Sequence, residues 1–273
     1  MRELLFMKPH FAHTIWGGTR LREVFGYDEQ GDDIGECWGI SAHPGGDDTI
    51  TGGQYDGKKL SEVYVSHPEL FGNIDCDRFP LLIKIIDAKE DLSIQVHPDD
   101  EYASAHENGS YGKTECWYII DCPDNAKLVI GHNAGTHKEL VSMIEAGRWN
   151  EFIRYVPVKK GDFIQIEPGT VHAITAGCML LETQQSSDIT YRVYDYGRLM
   201  NGTPRELHIK QSMDVITVPA PDIGKSVRNY TDIPADELYE IESCRLYKVF
   251  KIVSEKGFEF NMVYPFMNMS VID

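Results

Sequence analysis

Short runs of hydrophobic residues, separated by Gly, Pro, Asn and Asp, dominate the pattern along the chain. The runs are rich in β-branched and aromatic residues, which favours strands over helices. Many short strands with few helices indicate a β-sandwich or a β-barrel. The predicted strands are Leu81–Asp87, Leu92–His97, Glu115–Asp121, Lys127–Gly131, Asp162–Ile166, Cys178–Gln184, Ile189–Tyr194, Leu246–Val253 and Phe258–Tyr264.

Helical signals occur in three stretches, Lys59–Leu70, Pro98–Glu107 and His137–Ala146. The second has acidic residues in its first turn, where a carboxylate interacts favourably with the helix dipole. The third carries an apolar stripe at helical spacing and stops before Gly147. The predicted fold class is therefore mainly β with a few helices.

A break in the pattern near Val218–Pro234, where prolines cluster, predicts two units. Residues 1–220 would form the larger β domain and residues 221–273 a smaller one. The smaller unit has two clear strands, and Asn268–Asp273 is predicted to begin a third. We therefore expect an incomplete β unit with an open edge.

Composition narrows the function classes. The 273 residues carry 26 Lys and Arg against 43 Asp and Glu, a formal charge of −17, which disfavours nucleic acid and membrane partners. The six cysteines include no C-x-x-C pair, so no disulfide framework or thiolate zinc site is predicted. No run is long enough to span a membrane and no secretory signal is recognised, which predicts a cytoplasmic protein.

The segment Leu92–Pro98 alternates apolar and polar residues. In a strand, Ser93, Gln95 and His97 share one face. Since a residue that precedes proline favours extended backbone, His97 should continue the strand geometry. Such a polar face can point to water or into a barrel interior, and the segment alone does not separate these alternatives.

Two further segments carry candidate ligands. A strand that begins near Glu115 places Lys113 and Glu115 on the same face as Trp117, and a buried carboxylate there needs a partner. In Gly161–Ile174, a strand and a Pro-Gly turn precede His172. Taken singly, Lys113 and Glu115 are most simply an ion pair at a sheet edge, and His172 is most simply a structural histidine.

Taken together, Gln95, His97, Glu115 and His172 offer an amide oxygen, a carboxylate and two imidazoles. Two histidines and one acid with an open position form a catalytic metal arrangement. The ligand types permit Zn²⁺ and also the His/His/carboxylate set of non-haem Fe(II) enzymes. The sequence therefore predicts a metal site and leaves the metal open.

The segment Glu182–Arg198 places Arg192 in a strand. An arginine inside a barrel needs an anionic partner. That partner could be Asp188, Glu182 or a bound ligand.

These motifs resemble the type I mannose-6-phosphate isomerases (phosphomannose isomerases) in their short bacterial form, a family of the cupin superfamily. The resemblance spans roughly residues 16–205. It rests on Ile15–Gly18, Gly35–Trp38, Leu92–Asp99, Gly112–Tyr118, Pro168–Ile174 and Glu182–Arg198.

The resemblance implies a cupin-type β-barrel, or jelly roll, that binds one divalent metal, usually zinc. It implies a catalytic metal-binding domain over residues 1–220 and a partial second cupin-like domain over 221–273. Family members continue beyond the equivalent of Asp273. The implied metal ligands are His97, Glu115, His172 and, least securely, Gln95.

The resemblance also implies a reaction, the interconversion of mannose 6-phosphate and fructose 6-phosphate through an enediol or enediolate. Arg192 is the implied catalytic cation, which also contacts substrate. Ser93, Lys84 and Lys113 match positions near the phosphate or the reacting carbons. We favour Glu182 as proton shuttle over Lys113, with a metal-bound water as a third candidate.

The phosphate of such a substrate needs cations within an acidic chain. Lys84, Lys113, Arg192 and Arg198 are predicted to form a basic pocket. Two other functions stay open: a non-haem iron dioxygenase, which leaves the segment around Arg192 unexplained, and a non-catalytic sugar-binding or regulatory cupin. The sequence predicts no oligomeric state.

Overall fold

Two antiparallel β-sheets pack face to face in the computed structural model, which describes residues 3–222, 226–257 and 259–273. The mainly β prediction is confirmed. The strands in chain order are β1 (Phe6–Lys8), β2 (His10–Gly18), β3 (Ile34–His43), β4 (Gly46–Asp47), β5 (Thr49–Thr51), β6 (Leu81–Asp87), β7 (Ile94–Val96), β8 (Glu115–Asp121), β9 (Lys127–His132), β10 (Ile153–Pro157), β11 (Asp162–Ile166), β12 (His172–Ala173), β13 (Met179–Gln185), β14 (Tyr191–Tyr194), β15 (Leu199–Met200), β16 (Thr203–Pro204), β17 (Val227–Asn229), β18 (Tyr239–Ser243) and β19 (Lys248–Lys251).

The larger sheet has the strand order β17-β11-β8-β13-β6-β3-β2, with β4 paired to β3. The smaller sheet has the order β10-β9-β12-β7-β14. Neighbours in space are rarely neighbours in sequence, so each sheet is assembled from distant parts of the chain. Short hairpins join β15 to β16 and β18 to β19, and β1 pairs with β5.

The helices are short and lie outside the two sheets' shared interior. Two 3₁₀ turns occupy Gly53–Tyr55 and Pro68–Phe71. No helix among the described residues is long and apolar enough to cross a membrane. The helices are α1 (Arg20–Phe25), α2 (Leu60–Ser66), α3 (Asp100–His106), α4 (His137–Glu145), α5 (Trp149–Phe152) and α6 (Ile209–Val215).

All three predicted helices are present, with differences at their ends. The stretch Lys59–Leu70 divides into α2 and a 3₁₀ turn, because Pro68 has no N–H to donate within a continuous helix. The helices α1, α5 and α6 were not predicted. Each spans two turns or fewer, too short for an apolar stripe to repeat.

Two cores explain which strand faces carry which residues. Between the sheets, Trp117, Ile130 and Leu180 belong to one apolar cluster. On the outer face of the smaller sheet, Ile94 and Val96 pack with side chains of α4, α5 and α6. The apolar side of β7 is therefore covered by helices, and its polar side faces the other sheet. This settles the choice between water and the barrel interior for Ser93, Gln95 and His97.

The strand predictions are most accurate in the sheet centre. Leu81–Asp87, Glu115–Asp121 and Asp162–Ile166 have the predicted bounds. The long strands β2 and β3 were missed, because glycines and histidines interrupt their apolar pattern.

Two predictions near the C-terminus are wrong. Residues 259–264 and 268–273 form no strand, while Phe258 lies outside the described residues. This part of the chain is held by side-chain packing and not by strand pairing. The Phe266 ring contacts Phe71 edge-on and Phe79 at a tilt, and Ile272 packs beside the cluster around Leu21.

The remaining part of the 221–273 segment contacts the larger sheet directly. The strand β17 pairs with β11 and becomes its edge strand. Ile241 and Tyr247 of the last hairpin pack with Cys116 and Phe163 on the sheet's outer face. The division of the chain at residue 220 stays a prediction.

Candidate metal centre

Two histidines and one carboxylate converge between the sheets. His97 directly follows β7, Glu115 begins β8 and His172 begins β12. The two histidine Nε2 atoms are 3.1 Å apart. Glu115 Oε2 lies 3.5 Å from His97 Nε2, and Oε1 lies 3.3 Å from His172 Nε2. All three residues are buried, and they form a cluster whose geometry could hold a metal ion.

Hydrogen bonds on the far side of each ring fix the tautomer of the neutral imidazole. Nδ1 of His97 donates to the carbonyl oxygen of Ile189, and Nδ1 of His172 donates to that of Thr170, each at 2.8 Å. Each Nε2 therefore presents a lone pair to the other. Two lone pairs at this distance, beside a carboxylate, repel one another unless a cation lies between them.

The surroundings keep both imidazoles neutral. Burial lowers the pKa of His172 to about 4. Burial, followed by the nearby Lys113 ammonium, lowers the pKa of His97 well below its usual value. Neutral imidazole is the form that binds a metal ion.

Glu115 is the clearest sign of a missing partner. It is fully buried, and neither of its carboxylate oxygens accepts a hydrogen bond from the described residues. Lys113 Nζ lies 3.2 Å from Oε2 and supplies one positive charge. A buried acceptor without a donor is costly. A divalent cation bound by the three side chains would remove that cost, so these residues fit a metal ion.

Gln95 lies beside the cluster, as predicted. It is paired with His172 across β7 and β12, and its Nε2 is 3.4 Å from His172 Nε2. Rotation of the amide about its last bond would bring Oε1 to the same place. Its side chain is less buried than the other three.

A second charged group lies next to the cluster on the larger sheet. Lys84 Nζ is 3.2 Å from Glu36 Oε2 and 3.5 Å from Glu182 Oε1. Trp117 Nε1 donates to Glu182 Oε2 at 2.8 Å, and Trp38 Nε1 donates to Glu36 Oε2 at 2.5 Å. Lys84 and Glu182, two of the residues singled out in the sequence, therefore lie together next to the His/His/Glu cluster.

Burial and neighbouring charges set the protonation of this group. Burial, followed by the Glu115 carboxylate, raises the pKa of Glu182. Burial alone would raise the pKa of Glu36, but Lys84 and the Trp38 hydrogen bond hold it below its usual range. Burial alone would lower the pKa of Lys84, and the carboxylates of Glu36 and Glu182 raise it instead. Of the two carboxyls in this group, Glu182 therefore takes up a proton more readily than Glu36.

Arg192 lies on β14 opposite Gln95. Its Nε donates to Ser93 Oγ at 3.3 Å, and its Nη1 donates to the Glu206 carbonyl oxygen at 2.9 Å. Glu182 instead contacts Lys84 and Trp117, so it is not the partner that the sequence allowed for Arg192.

The other candidate partner, Asp188, lies 3.7 Å from His43. Arg198 and Arg205 both bind the buried Asp195, Arg205 through two nitrogens at 2.8 and 2.5 Å. The predicted cation Arg198 is therefore already paired with a carboxylate.

Sequence reasoning missed Glu36 and Arg205. Glu36 could have been found, because Glu36 and Trp38 alternate with Cys37 and share a face next to Lys84. Arg205 follows a short hairpin, where no periodic pattern indicates the direction of a side chain.

The two packed sheets, with a His/His/Glu cluster between them, give this chain the architecture of a cupin-type barrel. Residues 4–119 match the family described as the phosphomannose isomerase type I catalytic domain. The chain is 48% identical over 274 residues to the mannose-6-phosphate isomerase ManA of Bacillus subtilis, covering 99% of this chain and 86% of that protein. It is 44% identical over 273 residues to the mannose-6-phosphate isomerase of Streptococcus mutans, covering 100% and 85%.

The fold agrees with these relatives. The crystal structure of mannose 6-phosphate isomerase from Bacillus subtilis matches with a TM-score of 0.80 at 48% identity, over 92% of this chain and 77% of that one. The chain belongs to the type I phosphomannose isomerase family.

Proposed function

We propose that this chain interconverts mannose 6-phosphate and fructose 6-phosphate as a metal-dependent aldose–ketose isomerase. One observation carries the proposal: the two unprotonated Nε2 atoms and the carboxylate of Glu115 converge inside the barrel of a chain of this family. Buried Lys84 and Lys113 lie beside them. Relatives at 48% and 44% identity carry the name of this activity.

His97, Glu115 and His172 would hold one divalent ion, with Gln95 as the weaker fourth ligand. Zn²⁺ is the proposed ion, since it accepts two imidazoles and a carboxylate and leaves a position open. When bound, the ion supplies a Lewis acid for negative charge on a substrate oxygen.

The chain's own residues must move one proton. Isomerisation removes the proton from C2 and returns it to C1, while the C1 carbonyl becomes a hydroxyl and the C2 hydroxyl becomes a carbonyl. Glu182 is the proposed shuttle, because burial raises its pKa and because Lys84 and Trp117 hold its two oxygens. Lys113 is the alternative, since its ammonium lies beside Glu115.

Arg192 is the proposed cation for the anionic parts of the substrate. Arg198 and Arg205 are both paired with Asp195, whereas Arg192 donates to two neutral groups, a hydroxyl and a carbonyl. Its charge is therefore available to a phosphate or to the developing enediolate. Ser93 would orient the guanidinium through its hydroxyl.

A coupled assay of fructose 6-phosphate formation from mannose 6-phosphate tests the proposal. Turnover should be lost on chelation and restored by Zn²⁺. Oxygen consumption that requires Fe(II) would point instead to a dioxygenase. A folded, zinc-loaded protein that binds the sugar phosphate without turnover would point to a sugar-binding cupin. The cytoplasmic location stays a prediction of the sequence.

A further inference from the structure

Gln184 lies on the inner face of the larger sheet, close to the candidate metal centre. It is paired with Glu115 across β13 and β8. Because alternate residues of a strand share a face, Gln184 lies on the same face as Glu182 and Leu180. Leu180 belongs to the core between the sheets, which identifies this face as the inner one. Gln184 is fully buried.

The two ends of its amide differ. Nε2 donates to the carbonyl oxygens of Gln185 at 2.8 Å and Ser187 at 2.6 Å, so both of its N–H groups are used. Oε1 has no hydrogen-bond partner among the described residues. Exchange of the two ends would place Oε1 against two carbonyl oxygens. The amide is therefore fixed with a free acceptor.

No described residue supplies a donor to this fixed and buried acceptor, and a bound substrate can supply one. Lys113 is already paired with Glu115, and Lys84 is paired with two carboxylates. A neutral amide oxygen suits a neutral donor, and the hydroxyls of a sugar are such donors.

The spacing along β13 indicates which hydroxyls are within reach. Gln184 is two residues beyond Glu182, about 6.6 Å along a strand. If Glu182 moves the proton between C2 and C1, Gln184 would lie beside a hydroxyl further along the sugar.

We propose that Gln184 Oε1 accepts a hydrogen bond from the C3 or C4 hydroxyl of the sugar phosphate, which makes Gln184 a specificity-determining residue. This inference rests on the proposed isomerase function. Among the described residues, the Gln184 amide hydrogen-bonds only to backbone carbonyls and to none of His97, Glu115 and His172.

A purely structural role for Gln184 gives a different expectation. Its Nε2 anchors the connection that leads to Ile189, whose carbonyl oxygen holds His97. If Gln184 acts only in this way, its replacement would slow the enzyme equally with every substrate. The test must therefore compare substrates that differ by one hydroxyl.

The experiment measures kcat/KM for mannose 6-phosphate and for its 3-deoxy and 4-deoxy analogues, with wild-type and Gln184→Met metalloenzyme. The wild-type enzyme should prefer the natural substrate over one of the two analogues by about fivefold to tenfold. In Gln184→Met that preference should fall to about one, because the acceptor is gone. An unchanged preference for both analogues would overturn the inference.

Gln185→Met is the matched control. Gln185 is also buried, but its oxygen accepts from the Thr114 N–H and its nitrogen donates to Asp100. Its loss should leave the preference between substrates at the wild-type value. If Gln185→Met removes the same preference, the effect is a general one and the inference fails.

A measurement on the wild-type enzyme covers the case in which Gln184→Met does not fold. The wild-type kcat/KM should be lower for one of the two deoxy analogues than for mannose 6-phosphate, and equal values for all three substrates would overturn the inference. Absence of wild-type turnover with mannose 6-phosphate would overturn the proposed function and this inference together. Wild-type turnover together with an unchanged substrate preference in Gln184→Met would overturn the inference and leave the proposed function in place.

Discussion

The interior of the barrel has two halves that differ in chemistry although the same strands build both. Along β8, the inner face runs from Glu115 through Trp117 to Ile119; along β13 it runs from Leu180 to Glu182. One half is an apolar core, whereas the other holds buried charges that are expensive to desolvate. The first half stabilises the sheets. The second is maintained at a cost in stability, which is typical of a functional site.

The largest effect should follow removal of a metal-type ligand from the polar half. His172→Ala should lower kcat/KM by more than about 100-fold and reduce the bound metal per chain, because one of three converging ligands is lost. Metal analysis together with the coupled assay measures both. His132→Ala is the control, since His132 is also buried but stacks on Phe152 away from the cluster. Equal loss of metal in both variants would contradict the assignment.

Arg192→Ala should reduce turnover without releasing metal. The guanidinium is a fixed cation for negative charge on the substrate, and loss of such a group typically costs about 10²–10³ in rate. Arg192→Lys should recover only part of the activity, because lysine cannot maintain the hydrogen bonds to Ser93 and the Glu206 carbonyl together. A parallel loss of metal and turnover would remove the role assigned to Arg192.

In the apolar half the effect should appear in stability instead of activity. Leu128→Ala removes a fully buried side chain from the core between the sheets. The free energy of unfolding should fall by about 2–5 kcal/mol. Denaturant unfolding measures this change, and kcat/KM at a temperature where the variant is folded should stay near the wild-type value. A large kinetic defect would show that the two halves are not separable.

The smallest effect concerns Glu36, at the rim of the polar half. Its folded-state pKa is held below the ordinary value of 4.5, so its ionisation stabilises the fold above that pH. This contribution is lost as the pH falls through the lowered pKa. Glu36→Gln should therefore reduce the unfolding free energy of the metal-free protein by about 1–3 kcal/mol at neutral pH.

The pH series supplies the control for Glu36. The difference between wild type and Glu36→Gln should shrink as the pH falls below 4.5, since the unfolded chain then takes up a proton at Glu36 before the folded protein does. Denaturant unfolding of the chelated proteins at several pH values measures it. A difference that is constant with pH would show that the charge of Glu36 does not contribute.

Continuous apolar runs and clear alternation are the features that the sequence could predict. The strand Glu115–Asp121 was predicted with its bounds, because its apolar residues are continuous and turn residues flank it. The alternation in Leu92–His97 placed Gln95 and His97 on one face, although Leu92 itself packs in the core between the sheets. It does so because β7 begins only at Ile94.

Other features depend on tertiary structure that no local pattern carries. The glycine-interrupted strand β3 exists because β2 and β6 pair with it on both sides. The free acceptor of Gln184 is visible only once the carbonyl of Ser187 is placed beside Nε2. The sequence could group His97, Glu115 and His172 as candidate metal ligands, since each lies in a strand or directly beside one. It could not place Arg205, which follows a short hairpin.

The most direct test of the central claim is a zinc titration of the metal-free protein with mannose 6-phosphate turnover as the readout. The account predicts that activity rises in proportion to bound zinc and reaches its maximum at one ion per chain, and that His172→Ala removes this rise. Turnover that is complete in the metal-free protein, or that does not follow the bound zinc, would contradict it.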